Sequence, residues 1–182
     1  EDMFSIPYKG TVKRLMDEIL KTQQSCLEAK RIVIFKKFEE DLPETIVPDE
    51  QLKFIVESLL QYAMALIPHD RSVEFLTRSI TVPGGSGEDR ELFRGNGKSI
   101  EIRLTFTGNQ ISRGSSGMGS GIPSPQEEVL SDLVLRLVDM TVKRNQGKMN
   151  VEVDGREFKN IISLRFPAER RRVVSYQRKG EP

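Results

Sequence analysis

Residues 51–64, QLKFIVESLLQYAM, place Leu52, Ile55, Val56, Leu59, Leu60 and Ala63 at spacings of three and four. That period gathers the six apolar side chains on one face of a helix. Pro48-Asp49-Glu50 opens the helix, with Asp49 suited to the N-cap and acidic charge at the positive end of the helix dipole. The pattern carries on to Ile67 before Pro68 ends it.

Upstream, Thr11 is placed to cap one amphipathic helix running to about Ala29, with Val12, Leu15, Met16, Ile19 and Leu20 on its apolar face. Arg31 to Phe35 is β-branched and aromatic and runs toward the breaker Asp41-Leu42-Pro43, as a strand does. Downstream, Val73 to Val82 and Ser99 to Phe106 read as strands of a long hairpin, and Ile100, Ile102, Leu104 and Phe106 alternate. A third helix is expected over Gln126 to Asn145, opened by Ser124-Pro125 and stopped by Asn145-Gln146-Gly147. A last hairpin turns at Asp154-Gly155, between alternating Met149, Val151, Val153 and alternating Ile162, Leu164, Phe166.

This order predicts an α/β (α+β) two-layer sandwich: a mixed β-sheet with three main helices on one face. Residues 1–182 form a single domain on this reading, with 1–10 as a lead-in, 112–125 as a flexible, lid-like loop rich in Gly, Ser and Pro, and 170–182 as a basic tail.

With 182 residues, 37% hydrophobic and 30% charged, the chain can bury one ordinary core and is too apolar for a disordered segment. A formal charge of +1 supplies no global field for nucleic acid or an anionic membrane. The tail concentrates Arg170, Arg171, Arg172, Arg178 and Lys179, but only Tyr176 accompanies them, so no stacking set for nucleic acid is present. Cys26 is the single cysteine, which rules out an intrachain disulfide, fits a reducing compartment and reads as a core or flank residue. His69 is the single histidine, in a loop, so a His/Cys zinc site is excluded. No apolar run reaches the roughly 18 to 20 residues of a spanning helix. The chain does not start with Met and reads as an excerpt from a longer protein.

Ser58-Leu59-Leu60-Gln61-Tyr62-Ala63 resembles the nucleotide-helix pattern N-L-L-x-N-A of sensor histidine kinases, whose ATPase domain has the Bergerat-type fold shared with DNA gyrase. The resemblance covers nearly the whole segment and implies that fold. It also implies where a nucleotide site should be, and the side chains there are replaced. The second Asn of the helix pattern helps hold Mg²⁺ in the family; Tyr62 stands in its place, and a phenol is a poor substitute for an amide carbonyl as a hard oxygen ligand. The family's D-x-G-x-G-I, whose Asp receives the adenine amino group, is matched by Phe106-Thr107-Gly108-Asn109-Gln110-Ile111. Phe106 replaces the carboxylate and Gln110 the second glycine. Aligned backwards from Gly147, the phosphate-binding G-x-G falls on Asp132 and Val134, where a carboxylate would repel a triphosphate. Gln146 stands for the first glycine of the family's G-G.

Gly117, Gly119 and Gly121 lie where the family has its ATP lid; their loop reads as a linker, with a backbone phosphate cradle as the alternative. Glu57 precedes Ser58 and would serve as a base only in a shifted register. The resemblance therefore implies a degenerate histidine-kinase-like ATPase domain, regulatory or scaffolding in a two-component signalling protein, with no cofactor. The alternative is a divergent, active catalytic domain using ATP and Mg. Implied partners are other domains of the same protein or a response regulator, with any membrane attachment or homodimerisation in regions outside this segment, and the implied location is cytoplasmic.

Overall fold

The computed structural model describes residues 11–81, 98–109 and 125–168, the side chains of 125–132 excepted. In chain order the elements are α1 (Thr11–Thr22), α2 (Gln24–Ala29), β1 (Val33–Phe38), α3 (Asp49–Leu66), β2 (Ser72–Thr81), β3 (Lys98–Thr107), α4 (Pro125–Arg144), β4 (Lys148–Asp154) and β5 (Lys159–Pro167). Among the described residues, the strands form one five-stranded sheet in the order β1-β2-β3-β5-β4. β1 and β2 are parallel and all other neighbours antiparallel, so the sheet is mixed. Parallel neighbours need a crossover, and α3 supplies it.

Alternation divides the sheet into two faces. Val73 and Phe75 of β2, Ile100, Ile102, Leu104 and Phe106 of β3, and Ile162, Leu164 and Phe166 of β5 are buried together with the apolar faces of α1, α3 and α4. The α3 face predicted from the period of three and four is the centre of this layer: Leu52, Ile55, Val56, Leu59, Leu60 and Ala63 are at most 1% exposed. Its carbonyl end is capped by Lys30, whose Nζ donates to Met64 O at 2.5 Å and Ile67 O at 3.3 Å, serving acceptors that the helix leaves without internal partners.

Several local expectations are corrected. The first helix is broken at Gln23, which lies near φ −89° and ψ 1°, although Gln23 N to Ile19 O and Leu27 N to Gln23 O, both 3.0 Å, carry hydrogen bonding through the break. The apolar period persists across it, which is why the pattern alone shows one helix. β1 starts at Val33, not Arg31, because Arg31 sits in the left-handed region at φ 54°, where its guanidinium pairs with Asp70 at 2.7 Å. Pro48, not Asp49, is the N-cap of α3; Asp49 is its first residue and pairs with Arg14 of α1 at 3.5 Å. Cys26 is exposed, a flank residue. The Asp154-Gly155 turn is a four-residue loop between Asp154 and Lys159, in which Asp154 Oδ1 accepts from Arg156 N at 2.9 Å and Phe158 takes the positive φ of 51°.

The exit from α4 is a Schellman motif: Gln146 N donates to Lys143 O at 3.0 Å and Gly147 N to Val142 O at 2.9 Å, with Gln146 at φ 58°. A side chain at that φ is strained, so Gln146→Gly is expected to raise stability by about 0.5–1 kcal/mol, after part of the relief is offset by the more flexible unfolded chain. Urea unfolding measures it, and a destabilised variant would show that the Gln146 side chain makes a compensating contact.

α1 and α3 are also joined by Lys53 and Glu18, whose Nζ and Oε1 are 2.8 Å apart. The hydrogen bond and charge of Lys53 hold the Glu18 carboxyl below its ordinary pKa, and Glu18 in turn raises that of Lys53. A depressed carboxyl contributes stability above its unfolded pKa and loses it as pH falls through the folded value. The acid-side fall in the unfolding midpoint is therefore expected to be shallower in Lys53→Met. Identical acid limbs in the two proteins would show the pair to be energetically silent, as many exposed pairs are.

Candidate functional site

The positions singled out in the sequence meet, in part, at one corner of the sandwich, where the end of β3 runs under the last turns of α3. Phe106 is the final inward residue of β3, 1% exposed, with Val73 of β2 and Asn160 of β5 as its register neighbours. Just beyond it the backbone is tied down on two sides. Gly108 N donates to Phe158 O at 3.0 Å, and Asn109 N donates to Leu66 O at 3.0 Å. Gly108 lies so close to the α3 terminus that a Cβ there would stand 2.5 Å from Leu66 O and 3.2 Å from Ile67 Cα. The glycine is thus required by the meeting of two backbones.

Tyr62, one turn before Leu66, is 8% exposed and belongs to the core, while Ser58, a further turn back, is half-buried. Between α3 and the sheet, Val56, Leu59, Ile102, Leu104, Ile162 and Leu164 pack without room for a water molecule. Asn160 was not legible as part of this corner. It is fully buried, and its Nδ2 donates to Asn109 O at 3.1 Å. The signal that could have found it is a polar residue at an inward position of the Ile162, Leu164, Phe166 alternation, where burial demands a partner.

Asp132 and Val134 are placed differently from what the glycine alignment implied. Both lie inside α4, a continuous 20-residue helix beginning at Pro125. Only the first four N–H groups of a helix are free, so the amides of 132 and 134 belong to the helical ladder, about two turns past its start. Val134 is partly buried and packs on the core. At the other end of α4, Asn145 Nδ2 donates to Gln51 Oε1 at 2.6 Å and to Thr141 O at 2.9 Å, fastening that end to the first turn of α3.

His69 is exposed, and Glu57 is half-buried on α3. Among the described residues, no group of three or more His, Cys, Asp or Glu side chains is arranged to hold a metal ion. Among the described residues, no helix is long and apolar enough to cross a membrane. Gln110, the glycines Gly117, Gly119 and Gly121 with their loop, the lead-in 1–10 and the basic tail 170–182 lie outside the described residues.

No family profile and no curated protein sequence matches this chain. Solved structures do. The catalytic domain of histidine kinase ThkA superposes with a TM-score of 0.60 at 13% identity, over 87% of this chain and 93% of that one. The Acinetobacter baumannii histidine kinase AdeS gives 0.58 at 12% identity, over 87% of this chain and 66% of that one. The mycobacterial sensor histidine kinase MprB gives 0.54 at 15% identity, over 87% and 93%. The fold is that of a sensor-histidine-kinase catalytic domain, of the Bergerat type, in a two-layer arrangement of helices over a mixed sheet.

Proposed function

We propose that this domain is a degenerate histidine-kinase-like ATPase domain that binds ATP weakly or not at all and acts as a regulatory or scaffolding module of a two-component signalling protein. The observation that carries this reading is the burial of Phe106 in the core, at the position where the family pattern places the adenine-binding carboxylate. The side chains at the corner do not fit an adenine nucleotide with its metal. Phe106 offers no acceptor for an amino group, Tyr62 is a buried phenol in place of an amide, and Gly108 is spent on the approach to α3. A hydrogen bond to a charged group contributes about 1.5–3 kcal/mol, so losing the carboxylate together with the metal ligand removes about 3–6 kcal/mol. That converts a micromolar site into a millimolar one. Its partners, on this reading, are neighbouring domains of the same protein or a response regulator.

Calorimetric titration and thermal melting with Mg-ATP test the proposal together. A ligand at or below its Kd stabilises by at most about 0.4 kcal/mol through RT ln(1 + [L]/Kd). Millimolar Mg-ATP is therefore expected to raise the melting temperature by no more than about 1–2 °C. A larger rise, with saturable heat at micromolar concentration, would instead favour a divergent active catalytic domain.

A further inference from the structure

The face of the sheet turned away from the helices carries a charge cluster that the nucleotide corner does not use. Glu101, at the middle of β3, is 0% exposed. Its register neighbours are Arg78 on β2 and Arg165 on β5, and Arg103 lies two residues along β3 on the same face. Arg78 Nε donates to Glu101 Oε2 at 2.5 Å and Arg103 Nη2 to Oε1 at 2.9 Å, while Arg165 Nε stands 3.9 Å from Oε1. Three guanidiniums thus converge on one carboxylate, leaving a local excess of two positive charges.

The donors are in excess as well. Each guanidinium has five N–H groups in a planar fork, whereas a carboxylate accepts at about four lone-pair sites. Arg103 Nε is buried and has no hydrogen-bond partner. The three side chains keep 46, 31 and 44% of their surface exposed, for Arg78, Arg103 and Arg165, so each guanidinium-bearing side chain is partly open to solvent. Glu101 acts as a pedestal: it draws the cations together and fixes them, lowering the ordering cost of a ligand that binds them jointly. Forked guanidiniums match carboxylate oxygens in pairs. Beside the cluster the same face carries two half-buried apolar side chains: Leu76 on β2, in register with Arg103, and Ile161 on β5, two residues beyond Ser163, the other register neighbour of Arg103.

We propose that this open sheet face binds an acidic polypeptide segment of a partner protein, whose carboxylates dock on Arg78, Arg103 and Arg165 and whose apolar side chains cover Leu76 and Ile161. Charge complementarity selects the acid, and the adjoining apolar strip selects a polypeptide over a free anion or a nucleic-acid backbone.

The test is fluorescence anisotropy at 50 mM salt with a fluorescein-labelled peptide of alternating Glu and Leu, against an all-Gln control, an oligothymidine strand of equal charge, and inorganic phosphate as competitor. Saturable binding of the acidic peptide is expected, weakened at least tenfold at 300 mM salt, with the Gln peptide not binding. Arg165→Gln, the variant least entangled with Glu101 because of its 3.9 Å separation, is expected to lower affinity at least fivefold without changing the melting curve. Glu101→Gln is expected to lower affinity if it folds, because the three guanidiniums are then no longer held together; unchanged or higher affinity in a folded variant would count against the pedestal. If it does not fold, Arg165→Gln decides alone. The proposal is overturned by no peptide binding at 1 mM, by equal binding of the oligothymidine, by half-displacement at millimolar phosphate, or by unchanged affinity in Arg165→Gln.

Discussion

Phe106→Asp, which restores the carboxylate of the family pattern, is expected to unfold the domain and not to restore a nucleotide site. Phe106 is 1% exposed and is flanked in the sheet by Val73 and Asn160. Removing a buried phenylalanine side chain costs about 3–5 kcal/mol through lost transfer energy and the cavity left behind. An aspartate placed there is also without a cation among the residues that flank it, and an uncompensated buried charge adds several kcal/mol more. The combined loss, at least about 5 kcal/mol, is comparable with the whole stability of an ordinary domain. Phe106→Leu, which keeps an apolar side chain in place, is expected to cost only about 1–1.5 kcal/mol. Circular dichroism and urea unfolding of the two variants distinguish these outcomes. A folded Phe106→Asp protein that binds Mg-ATP would show that the adenine position is still open, and the degenerate reading would fail with it.

The same residue shows what could be read before the fold was known. Phe106 reads both as the last inward residue of an alternating strand and as the replacement for a carboxylate, and the two readings are one physical fact: period-two burial puts a ring where the family pattern needs a charge. Long periodic elements were legible for this reason. α3, α4, and the paired β2 and β3 fall within one or two residues of their expected limits, because each is specified by many apolar side chains at once. Features decided by a single residue were not legible. The break at Gln23 leaves the apolar period intact, and the left-handed turn at Phe158 falls on a residue type that gives no signal for positive φ. Asp132 and Val134 match the G-x-G glycines only through their spacing from Gly147. Spacing could not show that α4 starts at Pro125 and has already absorbed those amides. Likewise the Glu101 cluster is spread over β2, β3 and β5, and its members become neighbours only through strand register.

Gly108 is the position where a family glycine and a structural glycine can be told apart. In the family pattern the glycines admit a ligand to the backbone; here a Cβ would meet Leu66 O at 2.5 Å, and that same carbonyl accepts the Asn109 N–H at 3.0 Å. The obstacle is backbone and cannot rotate away. The neighbouring carbonyls of Met64 and Ile67 are held by Lys30, so the α3 terminus has little freedom to retreat. Gly108→Ala must therefore push β3 and α3 apart at this corner. Overpacking of this kind costs about 1–3 kcal/mol, and the stretched Asn109 to Leu66 hydrogen bond adds about 1 kcal/mol. A total loss of about 3 kcal/mol is expected in urea unfolding, with no change in the response to Mg-ATP because the glycine serves the fold. Loss of less than about 0.5 kcal/mol, the range of an inconsequential surface change, would mean that the two backbones are free to separate. A protein that kept its stability but lost measurable nucleotide binding would return Gly108 to the ligand role of the family pattern.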